Sequence, residues 1–153
     1  MKATCFFLFL LLGTTVFAQE KWKDYSDFTV TLEHSNGAIS NSKIKISLSP
    51  DFEQNNTVNV YYEVYKEQFS KKISFELFIE IVDDIQKIPV FDLIKHRNTY
   101  PMDAGLTTLS IRDMHNEISI NITRVHAVEE YKEVVYAIRK ILNIIDLDLK
   151  NLR

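Results

Sequence analysis

Little in this chain ties a small fold together covalently or builds specialised chemistry. Its single cysteine, Cys5, stands near the start. Once that end is removed, no disulfide, thiolate nucleophile or cysteine-based metal site is available, so packing alone must hold the domain. Glycine and proline number three each, and no G-x-S-x-G elbow, P-loop, dinucleotide-binding glycine fingerprint or H-E-x-x-H occurs. No run of like charges, internal repeat or low-complexity segment interrupts the sequence.

Residues 1 to 18 read as a secretory signal peptide. Lys2 is a minimal basic region, Cys5 to Leu12 an apolar run, and Val16-Phe17-Ala18 suits cleavage, so the mature chain is expected to begin at Gln19. The apolar run is shorter than the roughly 20 residues a spanning helix needs, so no membrane span is expected after cleavage. Loss of Lys2 leaves 17 basic against 21 acidic residues, a net of −4. That mild acidity argues against nucleic acid as a partner. Residues 19 to 153 then form one domain, large enough to bury about two-thirds of its unfolded surface.

Within it, Ile73 to Pro89 reads as the helix about which the rest is arranged. Ser74 suits an N-cap, Glu76 suits the positive end of the helix dipole, and Ile73 with Phe78 suits a hydrophobic staple. Phe75, Phe78, Ile79, Val82, Ile85 and Ile88 recur at three- and four-residue spacing, and Pro89 ends the run. A second helix is expected over Val128 to Ile145, with Tyr131, Val134, Val135, Ile138, Leu142 and Ile145 on its apolar face.

Strict alternation marks strands at 28–32, 43–48, 57–66, 107–113 and 117–123. A two-residue turn at Asn36-Gly37 would set Val30 opposite Lys43, so a longer loop or bulge is expected there, with Gly37 at positive φ. A two-residue turn at His115-Asn116 keeps the apolar faces together and sets Ile111 opposite Ile120. The polar stretch 19–27 is expected to dock Trp22 and Tyr25 on the core, and Asp146 to Arg153 to fray or make a short edge contact. The fold expected is α+β: two layers, a five-stranded, mainly antiparallel sheet with two helices on one face, in the order βββαββα. With that order the strand at 117–123, rather than that at 107–113, joins the first three strands.

Two surfaces are candidate sites. The outward sheet face carries Lys43, Lys45, Tyr61, Tyr65 and Arg112 among Thr, Ser and Asn residues; Tyr and Arg are favoured at binding hot spots, and the two tyrosines exceed what solvation of a sheet requires. Tyrosine also suits strands without any partner. The connection 89–105 is long for a compact domain and offers Lys95, His96, Arg97, Tyr100 and Asp103 for an anionic ligand or a His-Asp acid/base pair. As a solvated connector it would be pinned by Phe91, Leu93 and Ile94, and no nucleophile or oxyanion element accompanies it. His34, His96, His115 and His126 lack zinc-site spacing and read as surface residues, and Glu76, Glu80, Asp83 and Asp84 read as a solvated helix face. Asn55-Asn56-Thr57 and Asn121-Ile122-Thr123 match the glycosylation pattern, which matters only in a eukaryotic source.

These features point to an exported protein, periplasmic or extracellular, without cofactor or metal. It is expected to be a non-enzymatic binding module for another exported protein or an envelope component. The alternative is an unrecognised hydrolase or small-ligand-binding protein using the 89–105 loop.

Overall fold

A computed structural model describes residues 24–36, 43–54, 56–89, 105–123 and 132–152. The 1–18 leader, Trp22, Gly37, Asn55, His126, Tyr131 and the loop candidates Lys95, His96, Arg97, Tyr100 and Asp103 lie outside the described residues. The strands are β1 (Thr29–Ser35), β2 (Ile44–Pro50), β3 (Thr57–Val64), β4 (Glu67–Ser74), β5 (Leu106–Arg112) and β6 (Glu117–Thr123); the helices are α1 (Phe75–Gln86) and α2 (Lys132–Ile144). The class is α+β as expected, but among the described residues the antiparallel sheet has six strands rather than five, and the order is ββββαββα rather than βββαββα.

The additional strand is β4, and its sequence explains why alternation fails to mark it. Positions on its helix-side face are Glu67, Phe69, Lys71 and Ile73, paired with Val64, Tyr62, Val60 and Val58. Two of the four are charged because β4 is the sheet's edge, beyond full cover, where inward-pointing charge deters unwanted strand pairing. Its turn is equally unmarked. Tyr65 and Lys66 connect β3 to β4 as a two-residue loop with φ of 54° and 76°, the mirror-image turn normally given to Asn-Gly. For side chains with a Cβ this conformation costs about 1–2 kcal/mol per residue. Lys66→Gly should therefore stabilise the protein by about 1 kcal/mol, after allowing for glycine's greater freedom when unfolded, and raise Tm by about 3 °C. A fall in Tm in thermal unfolding would instead show that the Lys66 side chain makes a compensating contact.

β4 also reverses the chain's direction and so sets the strand order, β4-β3-β2-β1-β5-β6. Since β4 runs against β3, α1 starts at the end of the sheet where β3 starts, whereas β5 starts at the far end, beside the end of β1. β5 then descends antiparallel to β1, with Leu32 facing Leu109 and Val30 facing Ile111. Hence β5, not β6, joins the meander. The β1–β2 connection is longer than two residues, as register requires, for Val30 faces Leu48 and His34 faces Ile44.

The β5–β6 turn is a four-residue loop, with Ile111 facing Ile118 and Leu109 facing Ile120. The Asp113 carboxylate accepts from the backbone N–H groups of His115 and Asn116 at 2.7 and 2.6 Å, which fixes this longer turn. It differs from the expected register by two residues, a shift to which face parity is blind.

α1 starts as its sequence indicates: Ser74 Oγ accepts from the Leu77 N–H at 3.3 Å, and Phe75, Phe78, Ile81, Val82 and Ile85 are buried. α2 buries Val134, Ala137, Ile138, Ile141, Leu142 and Ile144. Both helices share one core with the inward residues of the sheet. The C-terminal segment is docked rather than frayed. Asp146 takes φ of 58° after α2, Leu147 N–H returns to the Leu142 carbonyl at 3.1 Å, and Asp148 caps a short 3-10 turn that buries Leu149 and Leu152. At the other end the hydroxyl of Tyr25 donates to Asp83 at 2.6 Å, and Tyr25 and Phe28 pack against the core. His34 is buried rather than on the surface, with Nδ1 2.9 Å from Thr107 Oγ1.

Candidate functional site

Helices cover one face of the sheet, and strand alternation gives the other face its chemistry. The cross-strand pairings align three polar rows over all six strands. The middle row runs Ser70, Tyr61, Ser47, Thr31, Ser110, Ser119, one hydroxyl from each strand. At about 4.8 Å between strands, such a row spans about 24 Å. To one side lie Gln68, Glu63, Lys45, Glu33, Thr108 and Asn121; to the other lie Lys72, Asn59, Ser49, Thr29, Arg112 and Glu117.

Over the β1, β5 and β6 part of these rows the surface forms a trough of about 710 Å³. Its floor includes Thr29, Thr31, Thr108, Ser110 and Ser119, while Phe52 and Met114 line it from the adjoining turns, 72% and 77% exposed. Its hydroxyls already bond in pairs: Ser110 Oγ lies 2.8 Å from Ser119 Oγ, and Thr108 donates to Asn121 at 2.7 Å. Each retains bonding capacity for a ligand. Four carboxylates (Asp27, Glu33, Asp113 and Glu117) and two cations (Lys45 and Arg112) line the same space, so the trough is mildly acidic. Much of this charge is matched locally, since Lys45 pairs with Glu33 and Arg112 sits across from Glu117.

The five residues anticipated on this face do not form one cluster. Lys45 and Arg112 line the trough. Tyr61 lies toward the β4 edge, where with Lys45, Ser47, Gln68 and Phe69 it borders a second hollow of about 240 Å³. Tyr65 is in the β3–β4 turn rather than on the strand's outward face, and its N–H donates to the Lys43 carbonyl at 3.2 Å, which places both at the end of the sheet. Phe52, Met114 and Asp27 are additions from turns and the segment before β1, where no periodicity marks them. Thr108 and Ser110 were legible as the polar partners of Leu109 and Ile111.

Electrostatics around the face serve mainly to fix it. Lys72 Nζ donates to Asp51 at 2.7 Å and to Gln54 at 3.1 Å. That bond, helped by the Glu53 N–H, holds the Asp51 carboxyl below the usual carboxylate range. The Asp113 carboxyl is lowered by the N–H of His115, then by that of Asn116. On the opposite layer Asp84 raises the pKa of Lys140 through a 2.6 Å bond that ties α2 to α1, with burial opposing. The bond to Asp83 raises the pKa of Tyr25. Asp83 and Asp84 therefore act as tethers rather than as a plain solvated face.

Among the described residues no group of three His, Cys, Asp or Glu side chains gathers to hold a metal ion, and no helix is long and apolar enough to cross a membrane. No known protein-family model matches this chain, and no curated protein matches it.

Proposed function

We propose that this protein is a non-enzymatic binding module, acting outside the cytoplasm, that takes an extended, uncharged, polyhydroxylated ligand such as an envelope or extracellular glycan along its outer sheet face. The observation that carries this reading is the row of six hydroxyls crossing six strands beside a trough of about 710 Å³. The volume is in the range of small-ligand sites, commonly about 300–1,000 Å³. Hydroxyls both donate and accept, so they suit a ligand that does the same. The excess of two carboxylates disfavours an anionic ligand, both cations lie beside carboxylates, and Phe52 and Tyr61 offer exposed rings on which a sugar face can rest.

Titration of the ¹⁵N-labelled protein with neutral oligosaccharides of several linkages, followed by amide chemical shifts, tests it. Shifts are expected at Thr31, Ser110 and Ser119, with binding weakened about tenfold by Thr31→Val, which keeps shape and removes one hydroxyl. No change at millimolar sugar across the series, or changes confined to other surfaces, would set the reading aside.

A further inference from the structure

The free edge of the sheet carries a self-complementary pattern, and we infer that two copies of this chain pair antiparallel through β4, with Phe69 facing Phe69 across the two-fold axis. β4 ends the strand order, and among the described residues no further strand lies beside it. Its available backbone groups follow from the hydrogen bond of Tyr65 N–H to the carbonyl of Lys43, the residue just before β2. Peptide groups alternate in direction along a strand, so Val64, Tyr62 and Val60 bond to Glu67, Phe69 and Lys71. Gln68, Ser70 and Lys72 therefore turn their N–H and carbonyl groups away from the sheet.

A second β4 is bound by pairing these outward residues with one another, which leaves five registers, and two of them set like charges together: Ser70 facing Lys72 opposes Lys71 to Lys71, and Lys72 facing Lys72 opposes those two lysines directly. If Ser70 faces Ser70, Lys71 meets Phe69 and Glu67 meets Ile73. If Gln68 faces Gln68, Glu67 meets Phe69. Only when Gln68 faces Ser70 does each Glu67 meet the Lys71 of the other copy, twice by symmetry, while Phe69 meets its equivalent. Neither Glu67 nor Lys71 has an ion-pair partner among the described residues. Phe69 is 45% exposed and stacks on Tyr62 with ring centroids 5.3 Å apart. It would occupy the non-hydrogen-bonded position, where opposing side chains are closest, so four rings would run across the junction. An inward lysine guards an edge against strands in general; here the sequence supplies the matching carboxylate four residues away, in the one register that uses it. The second copy would also wall the 240 Å³ hollow bordered by Tyr61, Gln68 and Phe69.

One strand pair is a small interface, below the roughly 1,000 Å² of stable complexes, so a weak dimer is expected, with Kd on the order of 10–100 µM. Sedimentation equilibrium of the protein, purified in the form the cell accumulates, should show this association. Lys71→Glu and Glu67→Lys should each raise Kd about tenfold or more by placing like charges opposite one another, and the double exchange Glu67→Lys/Lys71→Glu should restore it. Far-UV circular dichroism checks that each variant stays folded. A monomer at 1 mM, approximately a hundred times the tighter expected Kd, would overturn the inference. Association indifferent to both single reversals, or unrestored by the double exchange, would overturn it as well.

Discussion

Phe78→Ala should lower the stability of the folded protein by about 3–5 kcal/mol, the largest loss expected of a single substitution here. Phe78 is fully buried in the first turns of α1, its ring stacked near that of Phe75 at 6.0 Å, and it belongs to the one core that joins both helices to the sheet. Truncation removes the apolar surface of the ring and leaves a cavity that helix and sheet, each held by its own hydrogen bonds, only partly fill. Against a total stability of about 5–15 kcal/mol for a domain, this is a large fraction. In urea the midpoint should fall by roughly 1–3 M with little change in slope, since the surface exposed on unfolding is nearly the same. Ile79→Ala, at a half-buried position on the same helix, should cost clearly less. Equal losses at the two positions would mean that α1 does not dock by the face described.

The contrast between these positions marks where periodicity reads truly and where it drifts. Ser74, Phe75, Phe78, Val82 and Ile85 were legible because a cap and a 3.6-residue repeat are local properties of sequence. Ile81 is buried while Ile79 is only partly so, since a spacing rule fixes a stripe and the neighbouring α2 decides its width. Strands with one covered face were legible for the same local reason. β4 was not, because an edge strand has no fully covered face to impose alternation, and its turn is made by Tyr65 and Lys66 against their conformational preference. That single omission reversed the chain's direction and hence the place of β5. The Asp113 turn escaped differently: a slip of two residues keeps every side chain on its face, so only the hydrogen bonds of the carboxylate distinguish the registers.

The outer face was legible in composition and not in arrangement. Thr31, Ser47, Ser110 and Ser119 each appear as the polar half of an alternation. That they fall into one row with Tyr61 and Ser70 depends on six strands in a particular order and register. The same dependence separates Tyr65 from Tyr61 and brings Arg112 close to Glu117. Histidine was misjudged on similar grounds, for His34 continues the inward alternation of Val30 and Leu32 and is buried where a surface residue was expected.

Gly105→Ala should destabilise the protein by about 1–3 kcal/mol. Gly105 precedes β5 without positive φ; its function is to have no side chain. A Cβ there would lie 2.6 Å from His34 Cε1 and 3.1 Å from Nε2, with the Ser35 carbonyl oxygen at 3.6 Å. The ring has little freedom to withdraw, being buried on β1 between Ile44 on β2 and Thr107 on β5, with Nδ1 against the Thr107 hydroxyl at 2.9 Å. The added methyl must therefore displace a hydrogen-bonded ring or shift the start of β5. Alanine's lower entropy in the unfolded chain, worth about 0.4–1 kcal/mol, offsets only part of this. Urea unfolding of a double-mutant cycle with His34→Ala isolates the cause. Once the ring is gone, Gly105→Ala should cost almost nothing or become slightly stabilising, giving a coupling of at least about 1 kcal/mol. If the glycine substitution costs the same with and without the ring, backbone accommodation at the start of β5, and not contact with His34, is what excludes a side chain at position 105.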